Sequence, residues 1–327
     1  MKFNQWKSVQ KEKKVLKTTC AEGQSFPPVF DAQGCGIQLV DWYSENKDML
    51  LQELLTSGAL LFRRFSISQL HDFELFVAVA IGNTGKYIEG ATPRSAVSSS
   101  IYTSTEFPAE HEIALHNELS YVVKPPQLLS FYCVEAAEEG GQTQLADTRK
   151  LLSLLDPDVI REFEKRGGWS LNRNFGFGMG PAISKSFGTD DPDELRKYCH
   201  DSGIDILHIG EGVLKTSQTR PVIHHHPVTG EATWFNHVAF WHPSSLPKEM
   251  HETLLKSFDV RDFPFSTYYG DGTEIPNDVI RHIRQAYVSS EILFDWKKGD
   301  VLLIDNWAVA HGRKPFKGAR KILVAMG

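Results

Sequence analysis

Two rhythms alternate along this chain. Short apolar, β-branched or aromatic runs recur as "ALLFRRF", "LLSFYCVEA", "ATWFNHVAF", "DVLLIDNW" and "KILVAM", and each predicts a strand. Between them lie stretches that open with helix-capping residues. "DDPDELRKYCHDSG" offers Asp191 as N-cap, Pro192 at the first helical position, Glu194 to close a capping box and Gly203 as terminator. "DPDVIREFEKRGG" repeats the scheme with Asp156, Pro157 and Gly167, while "LPKEMHETLLKSF" and "IPNDVIRHIRQAY" each place Pro at the helix start. In "SENKDMLLQELLTSG" the apolar residues Met49, Leu50 and Leu54 keep helical spacing, with Ser44 as the expected cap.

Helices near the N-terminus and in the middle, with strands scattered from residue 58 onward, predict an α+β fold whose sheet is assembled from distant segments. The 327 residues are 41% hydrophobic, enough for one large core. No repeat, low-complexity tract or linker marks a boundary, so a single domain over 1–327 is expected, with residues 1–20 as a peripheral segment and a helical insertion over about 148–215.

Charge changes the picture only by exclusion. The 35 basic and 41 acidic residues are spread along the chain, giving a net charge of −6 and no footprint for nucleic acid or an anionic membrane. Lys2, Lys7, Lys11, Lys13, Lys14 and Lys17 crowd the N-terminus without aromatic or Arg company, which reads as a solvated face. No signal-peptide core follows Met1 and no run of 18 apolar residues occurs, so a cytoplasmic location is expected. Cys20, Cys35, Cys133 and Cys199 are widely separated, which argues against a structural zinc site and favours reduced thiols.

The stretch "ALHNELSY" carries the first candidate chemistry. On a strand, His116 and Glu118 would share one face, so an imidazole and a carboxylate would converge. Alone, such a short and common pair reads first as the polar face of a half-exposed strand. The C-terminal "GDVLLIDNWAVAHGRKPFKGARKILVAM" adds His311 at the end of an apolar run. Two imidazoles and a carboxylate are the facial triad of non-haem iron(II), which leaves three coordination positions open for a bidentate co-substrate and oxygen. Arg320, beside an apolar strand, is costly to bury without a carboxylate, and a dicarboxylate co-substrate would supply one. In "EEGGQTQLADTR", Gly140 and Gly141 permit close backbone approach, and the Thr143 hydroxyl could share that carboxylate. The plainer readings are a surface salt bridge for Arg320 and a hairpin turn for the glycines.

Taken in order, "HNELSY", "PPQLLSFYCVEAAEEGGQTQLADTR", "TRPVIHHHPVTGEATWFNHVAFWH", "YGDGTEI", "DWKKGDVLLIDN" and "AHGRKPFKGARKILVAM" resemble the iron(II)/2-oxoglutarate-dependent oxygenases of the taurine dioxygenase (TauD/TfdA) type. Within them the chain is most similar to the syringomycin-biosynthesis hydroxylase-like (SyrP-like) branch. The resemblance spans roughly residues 55–327. It implies a double-stranded β-helix, or jelly roll, of the cupin kind with flanking and inserted helices. It also implies that His116, Glu118 and His311 bind Fe(II), that Arg320 and Thr143 hold the distal carboxylate of 2-oxoglutarate, and that O2 is the second co-substrate. No catalytic acid or base beyond the metal ligands is expected. Glu at position 118 departs from the commoner Asp but is usual in the amino-acid hydroxylase branches. A filled carboxylate position argues against halogenation, because the related halogenases leave it as Ala or Gly.

The implied reaction is hydroxylation of an unactivated carbon of an amino-acid-like substrate, free or carrier-tethered, in natural-product biosynthesis, with release of succinate and CO2. Desaturation, cyclisation and epoxidation share the ligand set and stay open, as does a homo-oligomer. Rivals from other classes are a zinc metallohydrolase, which would need a general base that the triad lacks nearby, and a non-catalytic jelly-roll binding protein, which would be expected to have lost a ligand.

Further residues compete for a place at the site. His224, His225, His226 and His237 invite a second metal site, but consecutive strand residues point to alternate faces and "HPVTGE" reads as a turn. Asn236, Trp234 or one of these histidines is a candidate for substrate contact. Arg313 reads either as a substrate-binding residue or, preferably, as half of a structural ion pair. Arg173 and Phe175, in "LNRNFGFGMG", are expected in a mobile Gly-rich loop that covers the site, with Arg173 a substrate-binding candidate.

Overall fold

The computed structural model describes residues 14–327 except 22–23, 86, 92–93, 99, 105–106 and 178–179. Lys2, Lys7, Lys11 and Lys13 therefore lie outside the described residues. Two sheets face each other. The larger runs in the order Leu16–Ala21, Gln24–Asp31, Ala59–Arg63, Val301–Asp305, Leu128–Glu135, Lys321–Met326, Tyr102–Thr103. The smaller has the order Ile292–Phe294, Thr143–Asp147, Val309–Arg313, Ile113–His116. Neighbouring strands are antiparallel, apart from the parallel pair Gln24–Asp31 and Ala59–Arg63.

Side-chain alternation explains why the large sheet's central strands are apolar throughout. Leu302 and Ile304 point inward with Leu129, Phe131 and Val324 to meet Leu145, Phe294 and Val309 of the small sheet. Val301 and Leu303 point outward, where Leu39, Tyr43, Leu50, Leu54, Phe73 and Phe76 cover them from the helices Leu39–Glu45, Lys47–Ser57 and Leu70–Ala80. Both faces are buried, so the strand reads as a continuous hydrophobic run. Truncating one such leucine to Ala would cost about 2–5 kcal/mol.

Several helix starts are where the capping residues put them. Asp156 accepts from the Asp158 amide ahead of Pro157–Lys165, and Asp191 accepts from Asp193 and Glu194 ahead of Pro192–Asp201. The Glu194 carboxylate, however, bonds the Thr189 hydroxyl instead of closing a capping box. Pro247 and Pro276 precede their helices as N-caps. Ser44 is no cap: it lies inside Leu39–Glu45 with its hydroxyl on the Val40 carbonyl, and the chain breaks at Asn46 into two helices.

Residues 148–215 are not purely helical. Helices Thr148–Leu154, Pro157–Lys165, Ile183–Phe187 and Pro192–Asp201 are interleaved with Trp169–Phe175 and Asp205–Gly210, which join Val213–Arg220 and Phe265–Tyr269 in a sheet of their own. The strand "WSLNRNF" hid from hydrophobic patterning because Asn172, Arg173 and Asn174 interrupt it. Arg173 and Asn174 are nonetheless buried. Leu16–Ala21, expected to be peripheral, is the edge strand of the large sheet. In "ATWFNHVAF" only Ala232–Trp234 is extended, paired with Ile223–His225. All four cysteines are free, and among the described residues no helix is long and apolar enough to cross a membrane.

Candidate metal centre and active site

Strand pairing in the small sheet assembles the centre. Val309–Arg313 runs between Thr143–Asp147 and Ile113–His116, in a register that sets His311 opposite His116 on one side and Leu145 on the other. The two imidazoles lie 4.6 Å apart, centroid to centroid. Glu118 does not continue the strand: extended structure stops at His116, and the chain turns through Leu119 at φ 51°. A non-glycine residue there is uncommon and needs external support.

Asn306 supplies that support. Its side-chain Oδ1 accepts the Glu118 amide at 2.8 Å, and its side-chain NH2 donates to the main-chain carbonyls of Glu118 and Pro126 at 2.9 and 2.8 Å. Asn117 answers by donating to the Asn306 carbonyl at 2.7 Å. The turn swings the Glu118 carboxylate to 3.8 Å from His311 Nε2, and the ligand atoms of His116, Glu118 and His311 lie within 4.8 Å of one another.

His116 Nδ1 sits 2.9 Å from the Ala114 carbonyl, so a proton on Nδ1 leaves Nε2 as the free lone pair. Burial lowers the pKa of His116 and pushes that of His311 well down, which keeps both rings neutral, as metal ligation requires. His237 and Phe240 pack on the outer side of His116 at 5.6 and 4.8 Å, and His237 is tied to the Ser120 hydroxyl at 2.5 Å.

A cavity opens beside the histidines, lined among others by Arg94, Phe131, Thr143, Arg313 and Arg320. The Thr143 oxygen accepts the indole N–H of Trp296 at 2.9 Å, which leaves its own proton available to a ligand. Arg320 donates through Nε to the Gly141 carbonyl at 3.2 Å. Burial lowers its pKa to about 10, so it stays cationic at neutral pH, yet among the described residues no carboxylate forms an ion pair with it. Gly141 is required here because a Cβ would lie 3.1 Å from the Arg320 side chain, at a backbone φ of +69°. Two neutral imidazoles, one carboxylate and an adjoining cavity with an unpaired guanidinium suit a hard divalent metal together with a carboxylate ligand. The site residues therefore fit iron and 2-oxoglutarate.

Other sequence candidates fall elsewhere. Arg313 lines the cavity but forms no ion pair among the described residues: its terminal nitrogens donate to the carbonyls of Phe107, Pro108 and His111 at 2.7–3.0 Å. Asn236 is turned inward, donating to the Val222 carbonyl and accepting the Val238 amide. Arg173 and Phe175 are in a buried strand rather than a mobile loop, and Gly178 and Met179 of that stretch lie outside the described residues. His226 bonds Asp305 at 2.8 Å, His224 packs on Trp307, and His225 is exposed, so the histidine run builds no second cluster among the described residues. Asn306, Trp296, His237 and Arg94 were not anticipated from the sequence. Their contacts reach across 24 to 188 residues of chain, and only His237, in the hairpin already suspected, had any signal.

Fold and site together define a jelly-roll oxygenase. The family described as taurine catabolism dioxygenase TauD, TfdA matches residues 22–326. The chain belongs to this family, and it is a 2-oxoglutarate-dependent, non-haem iron dioxygenase. It is 38% identical over 277 residues to the dapdiamide synthesis protein DdaC of Enterobacter agglomerans, covering 84% of each chain. It is 28% identical over 291 residues to a clavaminate synthase-like protein of Arabidopsis thaliana, covering 85% of this chain and 83% of that one. The crystal structure of PvcB from Pseudomonas aeruginosa shares the fold with a TM-score of 0.55 at 15% identity, covering 91% of this chain and 84% of that one.

Proposed function

We propose that this dioxygenase hydroxylates an unactivated carbon of an amino acid, or of an amino-acid-derived substrate free or carried on a protein, in natural-product biosynthesis. In this reading His116, Glu118 and His311 hold the iron, and Arg320 and Thr143 hold the distal carboxylate of 2-oxoglutarate. The observation that carries it is the convergence of the three donors beside a cavity lined by a half-buried Arg320 that has no carboxylate partner among the described residues. The relative named for dapdiamide synthesis and the similarity to the syringomycin-type branch support a biosynthetic, amino-acid-like substrate.

Bound iron would supply oxygen activation coupled to decarboxylation of the co-substrate. The chain's own part is geometric. The Asn306 clamp fixes the Glu118 carboxylate, the Ala114 carbonyl fixes the His116 tautomer, and the Trp296 indole turns the Thr143 hydroxyl toward the cavity. His237, Phe240 and Phe131 wall the imidazoles with rings and so restrict water.

Loading the protein anaerobically with Fe(II), adding 2-oxoglutarate and admitting oxygen tests the reading. Succinate should form with the wild type, and faster with amino acids that are substrates. His311→Ala should bind no stoichiometric iron and form no succinate. Succinate formation by His311→Ala at the wild-type rate would refute the ligand assignment.

A further inference from the structure

Arg94 is the cation in this cavity that the chemistry above leaves unused. Its side chain is 5% exposed, and Nη2 donates to Glu118 Oε2 at 2.7 Å. Its Nε and Nη1 are buried and have no hydrogen-bond partner, while the guanidinium lies 4.9 Å over the Tyr87 ring. A buried N–H without an acceptor is costly, because its hydration is lost and nothing replaces it. Glu118 takes one nitrogen and the Tyr87 phenol also interacts with the guanidinium, yet Nε and Nη1 make no hydrogen bond of good geometry, which points to a further acceptor.

The chain holds Arg94 in place from both sides. Next to it, the Ser95 amide donates to the Thr103 hydroxyl at 2.9 Å and the Thr103 amide to the Ser95 carbonyl at 2.9 Å. Tyr102 and Thr103 pair with Val324 and Leu323 of the strand that follows Arg320. Upstream, the Glu89 amide donates to the Ser186 carbonyl, and the Glu89 carbonyl accepts from the Tyr121 hydroxyl at 2.8 Å. Three guanidiniums thus line one cavity, but Arg313 spends both terminal nitrogens on main-chain carbonyls. Two remain for a ligand that is a dianion. Arg94 touches Glu118, which sets it at the metal end, whereas the hydrogen bond from Arg320 goes to Gly141.

We propose that Arg94 binds the metal-proximal carboxylate of 2-oxoglutarate, so that the co-substrate is held by one guanidinium at each end. This rests on the oxygenase reading above. A planar fork with two vacant N–H groups suits a carboxylate, and a charge-assisted pair is roughly twice as strong as a neutral one.

The test compares two ligands on the full-length, Fe(II)-loaded protein without oxygen, by calorimetric titration. The ligands are 2-oxoglutarate and 2-oxovalerate, which keeps the oxo-acid end and replaces the distal carboxylate with a methyl group. Arg94→Gln should weaken both by about tenfold or more, whereas Arg320→Gln should weaken 2-oxoglutarate by that much and 2-oxovalerate by less than about threefold. Iron affinity, read by competition with a chromophoric chelator, should stay near wild type in both variants. If Arg94→Gln binds both ligands within about threefold of wild type, or loses its iron, Arg94 serves only to position Glu118 and the assignment falls. If the loaded wild type takes up no 2-oxoglutarate, the oxygenase reading itself falls. Should circular dichroism show Arg94→Gln unfolded, Arg94→Lys decides: weakening of both ligands by threefold or more supports the assignment, and unchanged binding overturns it.

Discussion

Arg173 in the inserted sheet is a buried cation and Arg320, just ahead of the large-sheet strand Lys321–Met326, a half-buried one, and the protein treats them differently. Arg173, 2% exposed, is surrounded by the faces of Tyr121, Phe175 and Phe265 at 5.0–5.5 Å, with the fully buried Glu89 carboxylate 3.6 Å away. Glu89 in turn accepts from the Tyr198 hydroxyl at 2.9 Å, and burial raises its pKa. Arg320 has the Gly141 carbonyl, one ring face at 5.6 Å, that of Phe316, and the edge of a cavity, with no carboxylate partner among the described residues. The inserted sheet thus sets a carboxylate and three rings around its charge, although no guanidinium nitrogen of Arg173 has a hydrogen-bond partner among the described residues, and the Glu89 contact joins that loop to the strand at Arg173. At Arg320 the charge is left for a ligand. A buried guanidinium marks a binding site only when its surroundings fail to answer it.

If the contrast holds, the two regions respond oppositely to substitution. The largest effect should come from Glu89→Gln, which strands Arg173 in a low-dielectric pocket and should lower stability by about 3–5 kcal/mol in urea unfolding. Arg320→Ala should leave the unfolding midpoint nearly unchanged, yet cost about 2–5 kcal/mol in 2-oxoglutarate affinity, read from the charge-transfer band of the anaerobic iron complex. A stability loss in Arg320→Ala as large as that in Glu89→Gln would erase the distinction between the two arginines.

Asn306→Ala sharpens the contrast from the metal side. It releases the turn that aims Glu118 and should weaken iron binding by about 10–100-fold, as measured by chelator competition. Thr143→Val is the mildest case: it removes one hydroxyl donor and should reduce 2-oxoglutarate affinity by about 0.5–1.5 kcal/mol, with iron affinity retained. An effect of Thr143→Val as large as that of Arg320→Ala would mean that the hydroxyl, rather than the guanidinium, dominates carboxylate binding.

What the sequence by itself determined are the features whose partners lie close by along the chain. Asp156 and Asp191 announce their helices because a cap bonds amides two or three residues on. The runs at 59–63, 128–135, 301–305 and 321–326 announce strands because burial on both faces demands apolar side chains at most of their central positions. His116, Glu118, His311, Thr143 and Arg320 stood out because such residue types are costly beside apolar strands without a ligand. Tertiary structure decided the rest. His116 and Glu118 converge through a turn at Leu119 rather than along one strand face, and the clamp that forms that turn, Asn306, is 188 residues away. Arg173 looked like part of a lid because its neighbours are polar and glycine-rich, and only the packing of Glu89 and three rings around it makes the segment a buried strand. Arg94 carried no signal at all, since nothing near it in sequence reveals that its guanidinium will meet Glu118. Capping and periodicity are local and repeat with the geometry of one element, whereas ion pairs and side-chain clamps between distant segments have no fixed spacing and exist only once the sheets have packed.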